Sequence, residues 1–135
     1  MFDYTEEELK NILKEIETIA IIGASINPTR DSFKVMEYMI KCGYKVFPVN
    51  PNEVDNKVFG LKFFSELDSI QERIDMVDIF RSKDHVREIT RNAIKNNVKV
   101  IWTQEGVVDE ESAMLARRSG ITFVMNKCPK KVLDN

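Results

Sequence analysis

At 135 residues, 43% apolar and 31% charged, the chain reads as one globular domain, residues 1–135, with a single sizeable core. Its net charge of −2 gives no support for a nucleic-acid or membrane-surface partner. Two cysteines, Cys42 and Cys128, stand outside any CxxC pair, which argues against a disulfide framework and for a reducing, cytoplasmic setting. The acidic start, Met1-Phe2-Asp3-Tyr4-Thr5-Glu6-Glu7-Glu8, is no signal peptide, and no apolar run approaches the roughly 18 residues of a membrane span.

The first predicted element is a helix over Thr5 to Glu17. Thr5 and Glu8 have capping-box spacing, Glu6 and Glu7 suit the first turn, and Leu9, Ile12, Leu13 and Ile16 form one apolar stripe. Ile19 to Ile22 is a buried strand that runs into the turn Gly23-Ala24-Ser25. Ser32 to Lys41 is a helix burying Val35, Met36, Met39 and Ile40, with Gly43 in place for a left-handed cap. Tyr44 to Val49 is the second strand, ended by Asn50-Pro51-Asn52. A polar stretch follows, with an apolar patch at Val58-Phe59 and Phe63-Phe64 and one helical turn at Glu66 to Ile70 capped by Ser65. Met76 to Phe80 is the third strand. Ser82 or Asp84 then starts a helix burying Val86, Ile89, Ala93 and Ile94. Lys99 to Trp102 is the fourth strand, Asp109 caps a helix through Arg118, and Ile121 to Met125 is the fifth strand.

The strands are short apolar runs rather than period-two alternations, so both of their faces are buried. Alternation with helices makes a Rossmann-like α/β fold: a doubly wound, five-stranded parallel sheet, order 3-2-1-4-5, with an extra N-terminal helix. No internal repeat, low-complexity segment or linker interrupts it.

In such a sheet, ligands sit outside the carboxyl ends of the strands. That selects Gly23 to Ser32, Asn50-Pro51, Phe80-Arg81, Thr103 to Gly106 and Asn126 to Cys128. These segments bring amides, hydroxyls and cations: Ser25, Asn27, Arg30, Ser32, Lys34, Asn50, Arg81, Thr103 and Gln104, with Glu105 the only acid. A donor-rich site suits a phosphorylated ligand, held by backbone N–H groups and the dipole of the first crossover helix. Taken singly, Gly23 is explained by a tight turn, and Arg30, Lys34 and Arg81 by solvation; their shared placement at the strand ends is what points to a site.

Several chemistries are disfavoured. A dinucleotide fingerprint needs three glycines and an acid after the second strand; this turn has one glycine, and no carboxylate follows before Glu53. No Walker A pattern occurs. The sole histidine, His85, reads as a surface residue, and a zinc site is not supported. Cys128 reads as structural rather than reactive, Trp102 as core, and Asp109, Glu110 and Glu111 as capping and dipole residues. Asp75 and Asp78 flank a strand without a clear partner.

Four pieces occur in order: Gly23-Ala24-Ser25 with Asn27-Pro28-Thr29-Arg30, Gly43 to Pro51, Val77-Asp78-Ile79-Phe80-Arg81, and Trp102-Thr103-Gln104-Glu105-Gly106. Together they resemble the small CoA-binding domain proteins, over about Ile19 to Lys130. The same fold opens the α subunit of succinyl-CoA synthetase, and Asn126-Lys127-Cys128-Pro129 looks like a loop there. The resemblance implies coenzyme A as the cofactor, its ADP part over Gly23, Ala24, Ser25 and Arg30. Asn50-Pro51 and Phe80-Arg81 would line the adenosine and upper pantetheine region. The full expected set is Gly23, Ala24, Ser25, Arg30, Ser32, Lys34, Asn50, Pro51, Phe80, Arg81, Gln104 and Gly106, with no catalytic residue and no metal ligand. Glu105 and Pro129 depart from many relatives. The ligases also need a second domain with a phosphorylated histidine, which His85 does not match. The expected function is therefore binding of CoA or an acyl-CoA without independent catalysis. Two alternatives stay open: a nicotinamide-dependent redox enzyme or NAD(H) sensor, and the CoA-binding subunit of a two-chain acyl-CoA synthetase with an ATP-grasp partner.

Overall fold

The computed structural model describes residues 3–134. Helix α1 (Glu6–Lys14) starts on the expected capping box: Thr5 Oγ1 accepts from the Glu8 N–H at 3.1 Å, and Glu8 Oε1 from the Thr5 N–H at 2.8 Å. The helix ends three residues before the predicted Glu17, because the Glu17 N–H is diverted to the Asp75 carboxylate at 2.8 Å. Strand β1 (Thr18–Ile22), helix α2 (Asp31–Lys41) and strand β2 (Lys45–Val49) then form a parallel β-α-β unit.

The predicted apolar patch is a small antiparallel hairpin, β3 (Lys57–Val58) with β4 (Leu61–Lys62), turning through Phe59 and Gly60 at positive φ. The turn expected at Glu66 to Ile70 is a 3-10 turn at Leu67–Ser69, in which the Ser65 hydroxyl meets that of Ser69 rather than capping the backbone. Strand β5 (Met76–Ile79), helix α3 (Lys83–Lys95), strand β6 (Val100–Thr103), helix α4 (Glu110–Arg118) and strand β7 (Thr122–Val124) continue the alternation. A final helix, α5 (Pro129–Leu133), was not anticipated; Pro129 opens it, and Val132 is buried under it.

The main sheet has five parallel strands in the order β2-β1-β5-β6-β7. The class is the expected one, but Met76–Ile79, the third strand in sequence, does not lie outside β2. It lies beside β1, pairing Ile19 with Met76 and Ile22 with Ile79. A strand wholly buried along its length belongs inside the sheet, and every residue of β5 is buried. The place outside β2 is held by one parallel bridge, Phe64 to Val49: the Phe64 N–H donates to Pro48 O and the Asn50 N–H to Phe64 O, each at 2.9 Å. The order 3-2-1-4-5 thus assigns that outer position to the wrong segment. β2 can carry Pro48 because it borders the sheet.

Two apolar layers sandwich the sheet. On one face Leu9, Leu13, Met36, Met39 and Val132, from α1, α2 and α5, pack on Ile19, Ile21, Met76 and Trp102. On the other, Val86, Ala93, Ala113 and Ala116, from α3 and α4, pack on Ala20, Val77, Ile101 and Phe123. Crossovers on opposite faces leave a crevice at the carboxyl ends of β1 and β5, where the winding reverses.

Candidate functional site

A cleft of about 1060 Å³ lies in that crevice. It is at the upper end of the roughly 300–1,000 Å³ usual for ligand sites. Nine of the expected residues line it: Gly23, Ser25, Arg30, Ser32, Asn50, Pro51, Phe80, Arg81 and Gln104. Three do not. Ala24 is fully buried behind the wall. Lys34 is exposed on α2 away from the cleft, and the Gly106 N–H is tied to Asn126 Oδ1 at 2.7 Å. Thr103, also expected near the ligand, is buried, its hydroxyl donating to Val107 O at 2.8 Å.

The turn after β1 works differently from a simple phosphate loop. The N–H groups of Gly23 and Ala24 both donate to Val49 O, at 2.9 and 3.2 Å, so neither faces a ligand. Gly23 has φ +90°, and a Cβ there would stand 2.5 Å from Phe80 O and 3.0 Å from Arg81 Cδ. Close approach of β5 therefore explains this glycine without a phosphate. Asn50 is structural too: its Nδ2 donates to Ala24 O and its Oδ1 accepts from the Asn52 N–H, each at 2.9 Å.

The free donors come one step further along. The N-cap of α2 is Arg30, which has no side-chain cap bond, so the first-turn N–H groups of this 11-residue helix keep their positive end for another acceptor. Arg30 at the N-cap of α2 and Arg81 just after β5 bring guanidinium forks, and Ser25 and Ser32 add hydroxyls. The middle of the cleft is thus built for an anion.

Its flanks are acidic, contrary to the expectation of Glu105 as the only acid. Glu105 faces away and pairs with Lys131 at 2.7 Å, whereas Glu53, Glu66 and Glu88, and Asp31 in the first turn of α2, line the cleft. His85, read as a surface residue, is exposed but lines the cleft with Glu88 and Asn92. Their i, i+3, i+7 spacing marks one polar stripe of α3, legible in sequence once the opposite stripe, Val86 and Ala93, is known to be core. Glu53 ends the turn after β2 and Glu66 follows the bridge residue Phe64, and only the chain path brings both to the cleft.

Asp78 does not flank a strand; it sits inside β5, fully buried, and receives the Gln104 Nε2–H. Burial pushes its carboxyl up to about 8, against a smaller opposing effect of that bond. Asp75 also has partners. Burial raises its carboxyl, but the Glu17 and Thr18 N–H groups and Lys99 outweigh this and hold it below the usual range. Cys128 is half-buried against the α2 layer, Cys42 is exposed, and both are free thiols. Trp102 is core, as expected, its Nε1–H donating to Lys127 O at 3.0 Å. Among the described residues no group of three His, Cys, Asp or Glu could hold a metal, and no helix is long and apolar enough to cross a membrane.

The uncharacterized protein YneT of Bacillus subtilis is 33% identical over 126 residues, spanning 93% of this chain and 92% of that protein. A hypothetical protein from Pyrococcus horikoshii superimposes with a TM-score of 0.91 at 34% identity, covering 97% of this chain and 91% of that one. The α subunit of an ADP-forming acetate–CoA ligase I from Pyrococcus furiosus is 28% identical over 89 residues, 63% of this chain but 19% of the subunit. The family model described as CoA binding domain matches residues 17–134. The chain belongs to the CoA binding domain family.

Proposed function

We propose that this protein binds coenzyme A, or an acyl-CoA, across the carboxyl ends of β2, β1, β5 and β6, as a binding module without catalysis of its own. The observation that carries this is the anion site at the switch point: Arg30, Arg81 and the uncapped first turn of α2 converge between acidic flanks. The diphosphate would lie over α2, because charge-assisted bonds from arginine and a helix N-terminus are strongest to phosphate oxygens. The adenosine would run toward Asn50, Glu53 and Glu66, where carboxylates accept from hydroxyl and amino groups. The pantetheine arm would run the other way, toward Phe80 and Gln104, because the strand order puts β6 on the side of β1 opposite β2. When bound, CoA would supply a thiol or thioester; the chain's own part is to bind and orient it.

A second reading, a nicotinamide dinucleotide in the same cleft, is favoured by Glu53. It lies in the cleft just after β2, where ribose-binding acids stand in dinucleotide folds, though its Oε1 also accepts from Asn56 Nδ2 at 2.9 Å. Calorimetric titration with CoA, dephospho-CoA and NADH separates the two. The expected result is binding of CoA, weaker without the 3′-phosphate, and a loss of roughly tenfold in Arg30→Ala, the scale of one charge-assisted bond. NADH binding without a response to CoA would overturn the proposal. Recovery of an ATP-grasp chain in a pull-down would add a partner subunit to this reading.

A further inference from the structure

The buried carboxyl of Asp78 has no part in the binding site described so far. It lies in the middle of the central strand β5, level with Ile21 of β1 and Trp102 of β6, and is fully excluded from solvent. An apolar residue would fit that layer, where Ile19, Ile21, Met76 and Trp102 pack. One carboxyl oxygen, Oδ2, has no hydrogen-bond partner, a state that costs a buried polar group about 1–3 kcal/mol. The other, Oδ1, accepts from Nε2 of Gln104. Gln104 follows directly on β6 and lines the cleft, while Asp78 does not. A lone polar pair retained at a cost inside an apolar layer calls for a role beyond stability.

The geometry of the pair supplies one. A glutamine amide has a donor end and an acceptor end. With Nε2 held inward, Oε1 accepts no bond from the described residues and is the end left for the cleft. The groups at mid-cleft are mostly donors, with Asp31 the acid among them, and Gln104 adds an acceptor on the β6 side where a ligand's N–H can be received.

We propose that Asp78 is a positioning residue: it fixes the Gln104 amide so that Oε1 accepts an N–H from the amide-bearing arm of the ligand. The inference rests on the CoA reading above and adds what distinguishes CoA from a bare nucleotide, namely its pantetheine amides. Burial keeps the Asp78 carboxyl largely neutral at pH 7, the form that this layer tolerates.

The test is titration of CoA and ADP, which lacks the amide arm, into wild type, Asp78→Leu, Asp78→Asn, Gln104→Ala and the Asp78→Leu/Gln104→Ala double variant. Asp78→Leu is expected to weaken CoA roughly tenfold, about the worth of one hydrogen bond, and leave ADP unchanged. Asp78→Asn keeps an acceptor for Nε2 and restores the CoA affinity. Gln104→Ala shows the same selective loss, and the double variant loses no more than Gln104→Ala alone, as it must if Asp78 acts only through Gln104. Equal losses for CoA and ADP, additive losses in the double variant, or wild-type CoA affinity in Gln104→Ala would each overturn the inference. If Asp78→Leu does not fold, Asp78→Ala takes its place with the same expected outcomes, and wild-type CoA affinity in Gln104→Ala overturns the inference in either case. Failure of wild type itself to bind CoA would instead sink the underlying CoA reading.

Discussion

Two residues show how differently a sequence position can be explained once its surroundings are known. Gly23 resembles a phosphate-loop glycine, yet what forbids a side chain there is the Phe80 carbonyl, 2.5 Å from where a Cβ would stand. Gly23→Ala is expected to lose roughly 2–4 kcal/mol, combining overpacking with strain at φ +90°. Urea unfolding checks this, and a loss under about 0.5 kcal/mol would show that the backbone relaxes freely. Asp78 carries a pH signature. Its carboxyl titrates near about 8 when folded, against roughly 3.9 for the unfolded chain. Between these values the folded state holds the extra proton, so stability is greatest at the acid end and declines toward about pH 8, by up to roughly 1.4 kcal/mol per unit. Asp78→Asn is expected to flatten that decline and to be the more stable protein near pH 8. Parallel slopes for the two proteins would refute it.

At the level of elements, the main strands and helices were legible because each carries a local signature: a capping box at Thr5, 3.6-residue stripes in α1 to α3, and short, mainly apolar runs in the strands of the main sheet. Their ends were less legible, because long-range partners set them. α1 stops short of Glu17 since Asp75, 58 residues away, takes the Glu17 N–H. Asp75 also accepts from the Thr18 N–H and lies 3.7 Å from Lys99, so one carboxylate ties the start of β1 to the start of β5. Asp75→Ala is expected to cost about 1–2 kcal/mol near neutral pH, since two part-buried N–H groups lose their acceptor. Its folded pKa is depressed, so this stabilisation is present above the ordinary carboxyl range and lost as pH falls through the folded value. The gap between variant and wild type should close in acid; a gap that persists below about pH 2 would assign the effect to packing instead.

For the whole molecule, the anion site exists only because two parallel crossovers leave in opposite directions from β1 and β5, gathering Arg30 and Arg81 from positions 51 residues apart. The family match begins at residue 17, yet α1 before it closes one apolar layer, with Leu9 1% and Leu13 0% exposed. Leu13→Ala is expected to lower global stability by roughly 2–5 kcal/mol in a single unfolding transition; a separate early transition would make α1 an accessory. The sequence by itself determined the layer class, the principal strands and helices and nine of the cleft residues, because hydrophobic period and strand-end position are local properties. Only the tertiary structure decided that β5 lies inside the sheet, that Phe64 holds the place outside β2, and that Glu53, Glu66 and Glu88 flank the cleft. Only it showed that Gly23 and Ala24 spend their N–H groups on Val49 and that Asp78 grips Gln104. Each of these depends on which distant backbone or side chain stands across a gap, and no local period records that.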